Sequence, residues 1–508
     1  MLLIKNLTIT HKDDYRVLLQ DFCFTLNLND KAVIIGEEGN GKSTLLKLIY
    51  DRSLIDDYVE FSGNIYFDGQ KIGYLAQEFH YSGNTVFEYY SDLPNFFELS
   101  PKELKDIAFE LGLSLDFFYS DQAVSTLSGG EKTKLQLAGI LMSKPTLLLL
   151  DEPSNDIDLD TLVWLENFIN SCNLPVIFIS HDEVLIENTA NIIIHIEQLR
   201  HKMLPRHTIA KMPYSQYRHE RLASFARQER LARKERSEYE NKMEKFLQIK
   251  SKVEHQQNTI SRSDPQGGRL LKKKMKSILA LGRRMEKEQE DMTQIPETED
   301  AVFFDFDDDA NLHKSKVVVD FCLDSLYVND RFLSKNISMN VNGSDKVCIT
   351  GKNGAGKTTL LKIIADRLLK RPDIKASYMP QNYQDLLNTD ITPIEFLTDS
   401  KSTDVTKART FLGSMRYTAD EMEHPIAKIS GGQKAKLFLL KMILENCNVL
   451  ILDEPTRNFS PITNPIIREV LQNFQGAIIS VSHDRKFINE VCNKIYKLDE
   501  NGLTLISH

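Results

Sequence analysis

Apolar residues fall in short unbroken runs through both ends of this chain and at helical spacing through its middle. Ala32-Val33-Ile34-Ile35, Leu147 to Leu150 and Val449 to Leu452 are runs of four apolar residues, which predict short buried strands. The first run feeds a glycine-rich turn, and Ser43-Thr44-Leu45-Leu46-Lys47-Leu48-Ile49 starts a helix behind it. Residues 346–364 repeat that strand–loop–helix order, and residues 1–200 alternate β-rich with helical segments, so both ends read as α/β. Between them the period changes. Tyr214 to Thr259 contains no Pro or Gly, and Tyr239, Met243, Phe246 and Val253 have the 4-3-7 spacing of a coiled-coil seam. Ser261-Arg262-Ser263-Asp264-Pro265-Gln266-Gly267-Gly268 combines turn formers and predicts a break. Leu271, Met275, Ile278, Gly282 and Met285 then resume at 4-3-4-3 spacing, so the two stretches predict an antiparallel helical hairpin with its tip at about 261–268.

The two ends are copies of one plan. Gly36-Glu37-Glu38-Gly39-Asn40-Gly41-Lys42-Ser43 and Gly351-Lys352-Asn353-Gly354-Ala355-Gly356-Lys357-Thr358 both fit G-x-x-x-x-G-K-[ST], with Thr44 and Thr359 following. In that loop, backbone N–H groups cradle phosphate oxygens and the Lys meets the outer phosphates. One offset of 302 residues relates Ser128 to Ser430, Glu152 to Glu454 and His181 to His483. A lone phosphate loop is weak evidence. Four further elements in the same order, twice, settle the architecture. The predicted domains are residues 1–205, a basic helical linker over 206–300, and residues 301–508.

Composition narrows what these domains act on. The six cysteines are scattered with no C-x-x-C pair, a pattern suited to a reducing compartment and offering no metal site. No apolar run approaches the ~18 residues of a membrane helix, and no signal-peptide core opens the chain. The expected location is cytoplasmic, with no membrane partner. A net charge of −9 hides a division: residues 201–290 hold 23 Lys and Arg against 11 Asp and Glu, and the remainder 40 against 61. An acidic body with a basic middle suggests that the middle touches a polyanion.

The chemistry follows from the motifs. Lys42 and Lys357 are expected to hold the outer phosphates of ATP, with Ser43 and Thr358 offering hydroxyls to Mg²⁺ and Asp151 and Asp453 completing the metal site. The adjacent Glu152 and Glu454 are placed to polarise the attacking water, and His181 and His483 to orient it. Gln77 and Gln381, after short strands, reach metal and water. Ser128-Gly129-Gly130-Glu131 and Ser430-Gly431-Gly432-Gln433 let backbone approach a phosphate at a helix N-terminus. One cassette cannot fold that motif onto its own phosphate loop; a facing cassette can supply it.

These motifs resemble the ABC ATPases and, within them, the ABC-F family of ribosome-associated proteins, over essentially all of the chain. The resemblance implies two ABC-type P-loop ATPase domains joined by a helical hairpin. It also implies a monomer whose cassettes pair internally around two composite ATP sites. One joins Lys42, Ser43, Gln77, Asp151, Glu152 and His181 to Ser430-Gly431-Gly432-Gln433; the other joins Lys357, Thr358, Gln381, Asp453, Glu454 and His483 to Ser128-Gly129-Gly130-Glu131. Tyr327 resembles the aromatic that stacks on adenine, and Tyr15 is a weaker counterpart. Two departures stand out. The usual Glu-Pro-Thr-Asn-His-Leu-Asp becomes Glu454-Pro455-Thr456-Arg457-Asn458-Phe459-Ser460, with Ser in place of the final Asp that Asp158 supplies in the first half. Glu37-Glu38 also puts negative charge in the first phosphate loop, where it either weakens nucleotide binding or points to solvent.

Arg262, Arg269, Lys272, Lys273, Lys274 and Lys276 cluster at and after the hairpin tip, where RNA phosphates and 2′-hydroxyls are natural partners. A solvated coiled-coil face is the plain alternative from composition alone. The family resemblance implies contact with 23S rRNA and peptidyl-tRNA, with the protein in the ribosomal exit site and its linker near the peptidyl-transferase centre. Thr456 through Pro465 resembles members that protect ribosomes from lincosamides, pleuromutilins and streptogramin A. The alternatives are a housekeeping translation factor that rescues stalled ribosomes and the ATPase subunit of a transporter.

Overall fold

The computed structural model describes residues 2–67, 69–79, 81, 83–259, 265–290, 292–293, 312–328, 331–383, 386–399 and 404–506. The chain divides into two compact units, Met1–Tyr214 with Glu299–His508, and Ser215–Thr298.

The first unit holds both cassettes. The apolar runs become central strands because every side chain of Lys31–Ile35, Leu147–Asp151 and Val449–Asp453 is buried or nearly so, which requires layers on both faces. In the first cassette they lie in a six-stranded sheet in the order Ile72–Leu75, Leu147–Asp151, Val176–Ile179, Lys31–Ile35, Ile192–Gln198, Leu204–Ala210. The first five are parallel and the last is antiparallel. That last strand carries the sheet past residue 205. The second cassette repeats the order with Ala376–Met379, Val449–Asp453, Ala477–Val481, Lys346–Thr350, Lys494–Asp499 and Gly502–Ile506.

Alternation along these strands fills two cores. Val347, Ile349, Val449, Ile451 and Ile479 face one layer with Leu360, Leu361 and Ile364 of the helix after the phosphate loop. Cys348, Leu450, Leu452 and Ile478 face the other, with Leu437 and Leu440 of the helix Gly431–Leu444. A small antiparallel sheet completes each cassette: Val17–Leu26, Leu2–His11 and Val59–Phe67 in the first, Val317–Val328 with Arg331–Asn342 in the second. Parallel order places the C-terminal ends of Leu147–Asp151 and Val449–Asp453 beside the phosphate loops, where ligands of open α/β sheets bind.

The second unit is a helical hairpin. Tyr214–Thr259 is one helix of 46 residues, and Pro265–Glu290 is a second of 26, about 39 Å long at 1.5 Å per residue. The seam follows the heptad reading: Val253, Ile278 and Met285 are buried, and Gly282 leaves room for the Phe246 ring. Lys242 pairs with Glu288, and Thr293 N–H donates to Glu235 at 2.7 Å, which sets the antiparallel register. The break is shorter than expected, since Pro265 through Gly268 already lie in the second helix, where Pro suits a first turn. Residues 260–264, including Arg262, lie outside the described residues. Arg269, Lys272, Lys273, Lys274 and Lys276 are all exposed. Among the described residues, no helix is long and apolar enough to cross a membrane.

Candidate functional site: two composite nucleotide sites

Each phosphate loop ends in a glycine with left-handed backbone, Gly41 at φ 87° and Gly356 at φ 92°, directly before its helix. A side chain there would be strained and, at Gly356, would press within 3 Å of Leu326 and Leu333. The loops close on their own lysines: Lys42 Nζ donates to the carbonyls of Gly36 and Glu37 at 2.8 and 2.9 Å, and Lys357 Nζ to those of Gly351 and Lys352 at the same distances. Both ammonium groups are thereby held inside the cradle of backbone N–H groups. Asn40 Nδ2 ties the first loop to the Ile196 carbonyl at 3.1 Å.

The strand-end carboxylates meet the helix hydroxyls. Ser43 Oγ donates to Asp151 at 2.9 Å and Thr358 Oγ1 to Asp453 at 3.4 Å. Burial pushes both aspartates up to about 6, against hydrogen bonds from Ser43 and Thr358 that lower them. Asp453 Oδ2 is buried with no hydrogen-bond partner among the described residues. A hydroxyl, a carboxylate with a spare oxygen and a nearby Gln form an all-oxygen set that fits a Mg²⁺ ion sharing phosphate oxygens.

The next carboxylates sit in unlike surroundings. Glu152 accepts from Asn155, from Gln77 Nε2 at 3.2 Å, and faces His181 Nε2 at 3.5 Å. Burial alone raises Glu152, but His181, Lys42 and Asn155 outweigh it and hold the group at about 2. Among the described residues, Glu454 accepts from Ser482 Oγ at 3.4 Å and the His483 backbone N–H at 3.2 Å. Burial and the neighbouring Asp453 charge push it up to about 8. His483 is lowered to about 4 by burial and by Lys357, and its Nε2 lies 3.8 Å from the Glu454 carboxylate.

This contrast predicts opposite effects of one substitution on the nucleotide-free protein. A carboxylate lowered from 4.5 to about 2 adds stability that is present above pH 4.5 and lost as pH falls toward 2. One raised to about 8 loses stability as pH rises from 4.5 through 8. At pH 7.5, Glu152→Gln is expected to destabilise the fold and Glu454→Gln to stabilise it, each by at most roughly 3–4 kcal/mol, read as a lower and a higher denaturation midpoint. The Glu454→Gln gain should shrink at pH 5. Shifts of the same sign at pH 7.5 would contradict the assigned environments.

The signature motifs cap their helices. Ser128 Oγ accepts the Glu131 N–H while Glu131 accepts the Ser128 N–H, and Ser430 with Gln433 does the same. A Cβ at Gly129 would lie 1.9 Å from the Asp156 carbonyl oxygen, so close packing against the loop after Glu152 demands glycine.

Each signature faces the other cassette's phosphate loop. A cavity of about 780 Å³ is lined by Ser128, Gly129 and Glu131 of the first cassette together with Asn353, Gly354, Gly356, Lys357, Thr358, Thr359, Gln381, Asp453, Glu454 and His483 of the second. Val328, Arg331 and Leu333 form one wall. Tyr327 is not in that lining; it is 57% exposed, with its ring 5.7 Å from Phe332. Tyr15 is 80% exposed.

At the other junction the first phosphate loop touches Ser430-Gly431-Gly432-Gln433 through its own acids. Glu38 accepts the Gly432 N–H, and Glu37 accepts from Thr463 Oγ1 at 2.6 Å and Ser460 Oγ at 2.9 Å, with Lys436 Nζ at 3.3 Å. Glu37 is only 12% exposed and does not point to solvent. Burial raises its pKa, but Lys436, Thr463 and Ser460 bring it down to about 2.

Sequence reasoning missed several contacts that join the halves. Arg457 pairs with Asp156 at 2.9 Å and Asn353 Nδ2 donates to the Asp156 carbonyl at 2.6 Å. His181 Nδ1 donates to the Phe459 carbonyl at 2.7 Å, and Tyr214 OH to the Pro461 carbonyl at 2.8 Å. Arg468 and Glu183, each 2% exposed, form a buried pair between cassettes. Nothing in local spacing marks these long-range partners. The one usable signal was the Arg and Ser standing at unusual places in the second Glu-Pro-Thr segment.

Two phosphate loops, each opposed by the other cassette's signature, define a tandem ATP-binding cassette protein. The model of the ABC transporter family matches residues 19–155 and 334–457, and the chain belongs to that family. It is 28% identical to the ATP-binding protein Uup of Buchnera aphidicola, over 96% of this chain and 78% of that protein. It is 24% identical to ABC transporter F family member 5 of Arabidopsis thaliana, over 96% of this chain and 73% of that one. These relatives support the ABC-F resemblance. A crystal structure of an archaeal ribosomal stalk protein with the ribosome recycling factor aABCE1 shares the fold, with a TM-score of 0.59 at 15% identity over 98% of this chain and 89% of that one. The protein is an ATPase with two α/β cassettes and a long helical segment between them.

Proposed function

We propose that this is an ATP-driven factor that works on the ribosome. Each composite site takes one ATP. Lys42 and Lys357 hold the outer phosphates, and Ser43, Gln77 and Asp151, or Thr358, Gln381 and Asp453, hold the Mg²⁺ ion. Bound there, the ion neutralises charge that develops on the phosphates. Glu152 and Glu454 accept a proton from the attacking water, oriented by His181 and His483, and the facing signature presents its helix end and backbone N–H groups to the terminal phosphate.

The observation that carries the ribosomal reading is the exposed row of Arg269, Lys272, Lys273, Lys274 and Lys276 on a helical hairpin between cassettes that are otherwise acidic. RNA is the polyanion such a row meets without reading sequence. Archaeal ABCE1, a ribosome recycling factor of similar fold that is also described bound to the ribosome, points the same way. In this reading the protein is a cytoplasmic monomer that enters the exit-site region and brings its linker toward peptidyl-tRNA and 23S rRNA near the peptidyl-transferase centre.

The finer reading is protection of ribosomes from lincosamides, pleuromutilins and streptogramin A, supported by the segment Thr456 to Pro465. Expression in a susceptible host should raise the inhibitory concentration of at least one of these classes, and the Glu152→Gln, Glu454→Gln variant should not. Unchanged susceptibility to all three would remove the protective role and leave a housekeeping translation factor.

A further inference from the structure

We propose that Glu37 and Glu38 form an internal plug that occupies the second signature's Gly432 N–H in place of nucleotide and makes the two ATP sites unequal. This rests on the reading of Lys42 and the second signature as one ATP site, and adds how that site is regulated. Gly432 N–H lies at the start of the 14-residue helix Gly431–Leu444, where backbone donors and the helix dipole favour an anion. The Glu38 carboxylate occupies that position, and both its oxygens would lie 3.2 Å from a Cβ at Gly431. Phosphate oxygens closing on the same N–H must first displace it.

Glu37 anchors the plug. It is held by Ser460, Thr463 and Lys436 of the second cassette, the last only 6% exposed. The corresponding residues at the other junction do something else. Lys352 and Asn353 stand where Glu37 and Glu38 stand, and Asn353 donates to the Asp156 carbonyl. Asp158 stands where Ser460 stands, accepting from Thr161 of its own helix at 2.7 and 3.0 Å. Lys134, the counterpart of Lys436, lies over the Trp164 ring at 4.6 Å. The two departures from the repeat are therefore one device. An Asp at 460 would set a second carboxylate against buried Glu37, and like charges at that distance repel. The Lys357 site, open as a cavity, loads ATP first; the Lys42 site loads against competition from its own loop.

The test isolates one site at a time in the full chain, using adenylyl-imidodiphosphate with Mg²⁺ as the probe. In the Lys357→Ala background only the Lys42 site reports. There Glu38→Gln and Glu38→Ala should tighten binding about tenfold or more, the scale of losing a competing charge-assisted hydrogen bond. In the Lys42→Ala background, Glu38→Ala should leave affinity at the Lys357 site unchanged. Ser460→Asp should lower the denaturation midpoint of the nucleotide-free protein, and adding Glu37→Gln should restore it. Unchanged or weaker binding in both Glu38 variants would overturn the plug, as would failure of Glu37→Gln to rescue Ser460→Asp. Retention of probe binding by the Lys42→Ala, Lys357→Ala variant would instead count against the site assignment on which the plug rests.

Discussion

Glu152→Gln combined with Glu454→Gln should slow ATP turnover by roughly 10²–10³-fold while leaving ATP binding intact, within the range that general-base groups contribute. The substitution keeps side-chain shape and leaves Lys42, Ser43, Asp151 and their second-cassette counterparts in place. Only the ability to take a proton from water is lost. Binding therefore still draws the signatures onto the phosphates, and the closed pair persists because the step that would release it is blocked. Steady-state phosphate release and filter binding of labelled ATP, measured side by side, separate the two effects. Parental turnover in the double variant would mean that these glutamates do not activate water.

Replacing Lys272, Lys273, Lys274 and Lys276 by Ala should weaken ribosome association by roughly 10–100-fold at low salt and flatten its salt dependence. Every phosphate that a lysine no longer neutralises takes about 0.7–0.9 off the log–log salt slope, so the four together should remove about 3. All four side chains are exposed on the helix Pro265–Glu290, away from the seam formed by Ile278, Gly282 and Met285. The hairpin should consequently keep its helix content, and ATP hydrolysis without ribosomes should be unaffected. An unchanged slope would return the row to the plain reading of a solvated helix face.

Much of this was legible in residue order because the motifs are local. A phosphate loop is a stretch of backbone with glycines where no side chain fits, and the runs Ala32 to Ile35 and Val449 to Leu452 are strands because they are apolar on both faces. The hairpin seam was legible for the same reason: Val253, Ile278 and Met285 sit at heptad spacing and are buried. Long-range pairs were not. Glu37 carries no sign that its partners are Ser460, Thr463 and Lys436, some 400 positions away, and a charged loop residue defaults to solvent in any local reading. Glu152 and Glu454 hold the same place in the repeat and are about equally buried; what sets them apart is the pair of partners Asn155 and Gln77 on Glu152, with Arg457 standing where Asn155 stands. Tyr327 lies outside the cavity lining beside Val328, which is in it, and the pairing of its strand shifts register between Leu326 and Tyr327, which residue spacing does not reveal.

Whether ATP closes these cassettes on the ribosome is tested by sedimenting the Glu152→Gln, Glu454→Gln protein through a sucrose cushion. With Mg²⁺ and ATP the protein is expected to pellet with ribosomes, and omitting ATP should leave it in the supernatant. Protein that stays in the supernatant with ATP present, or that fractionates with membranes in a whole-cell lysate, would contradict that closure.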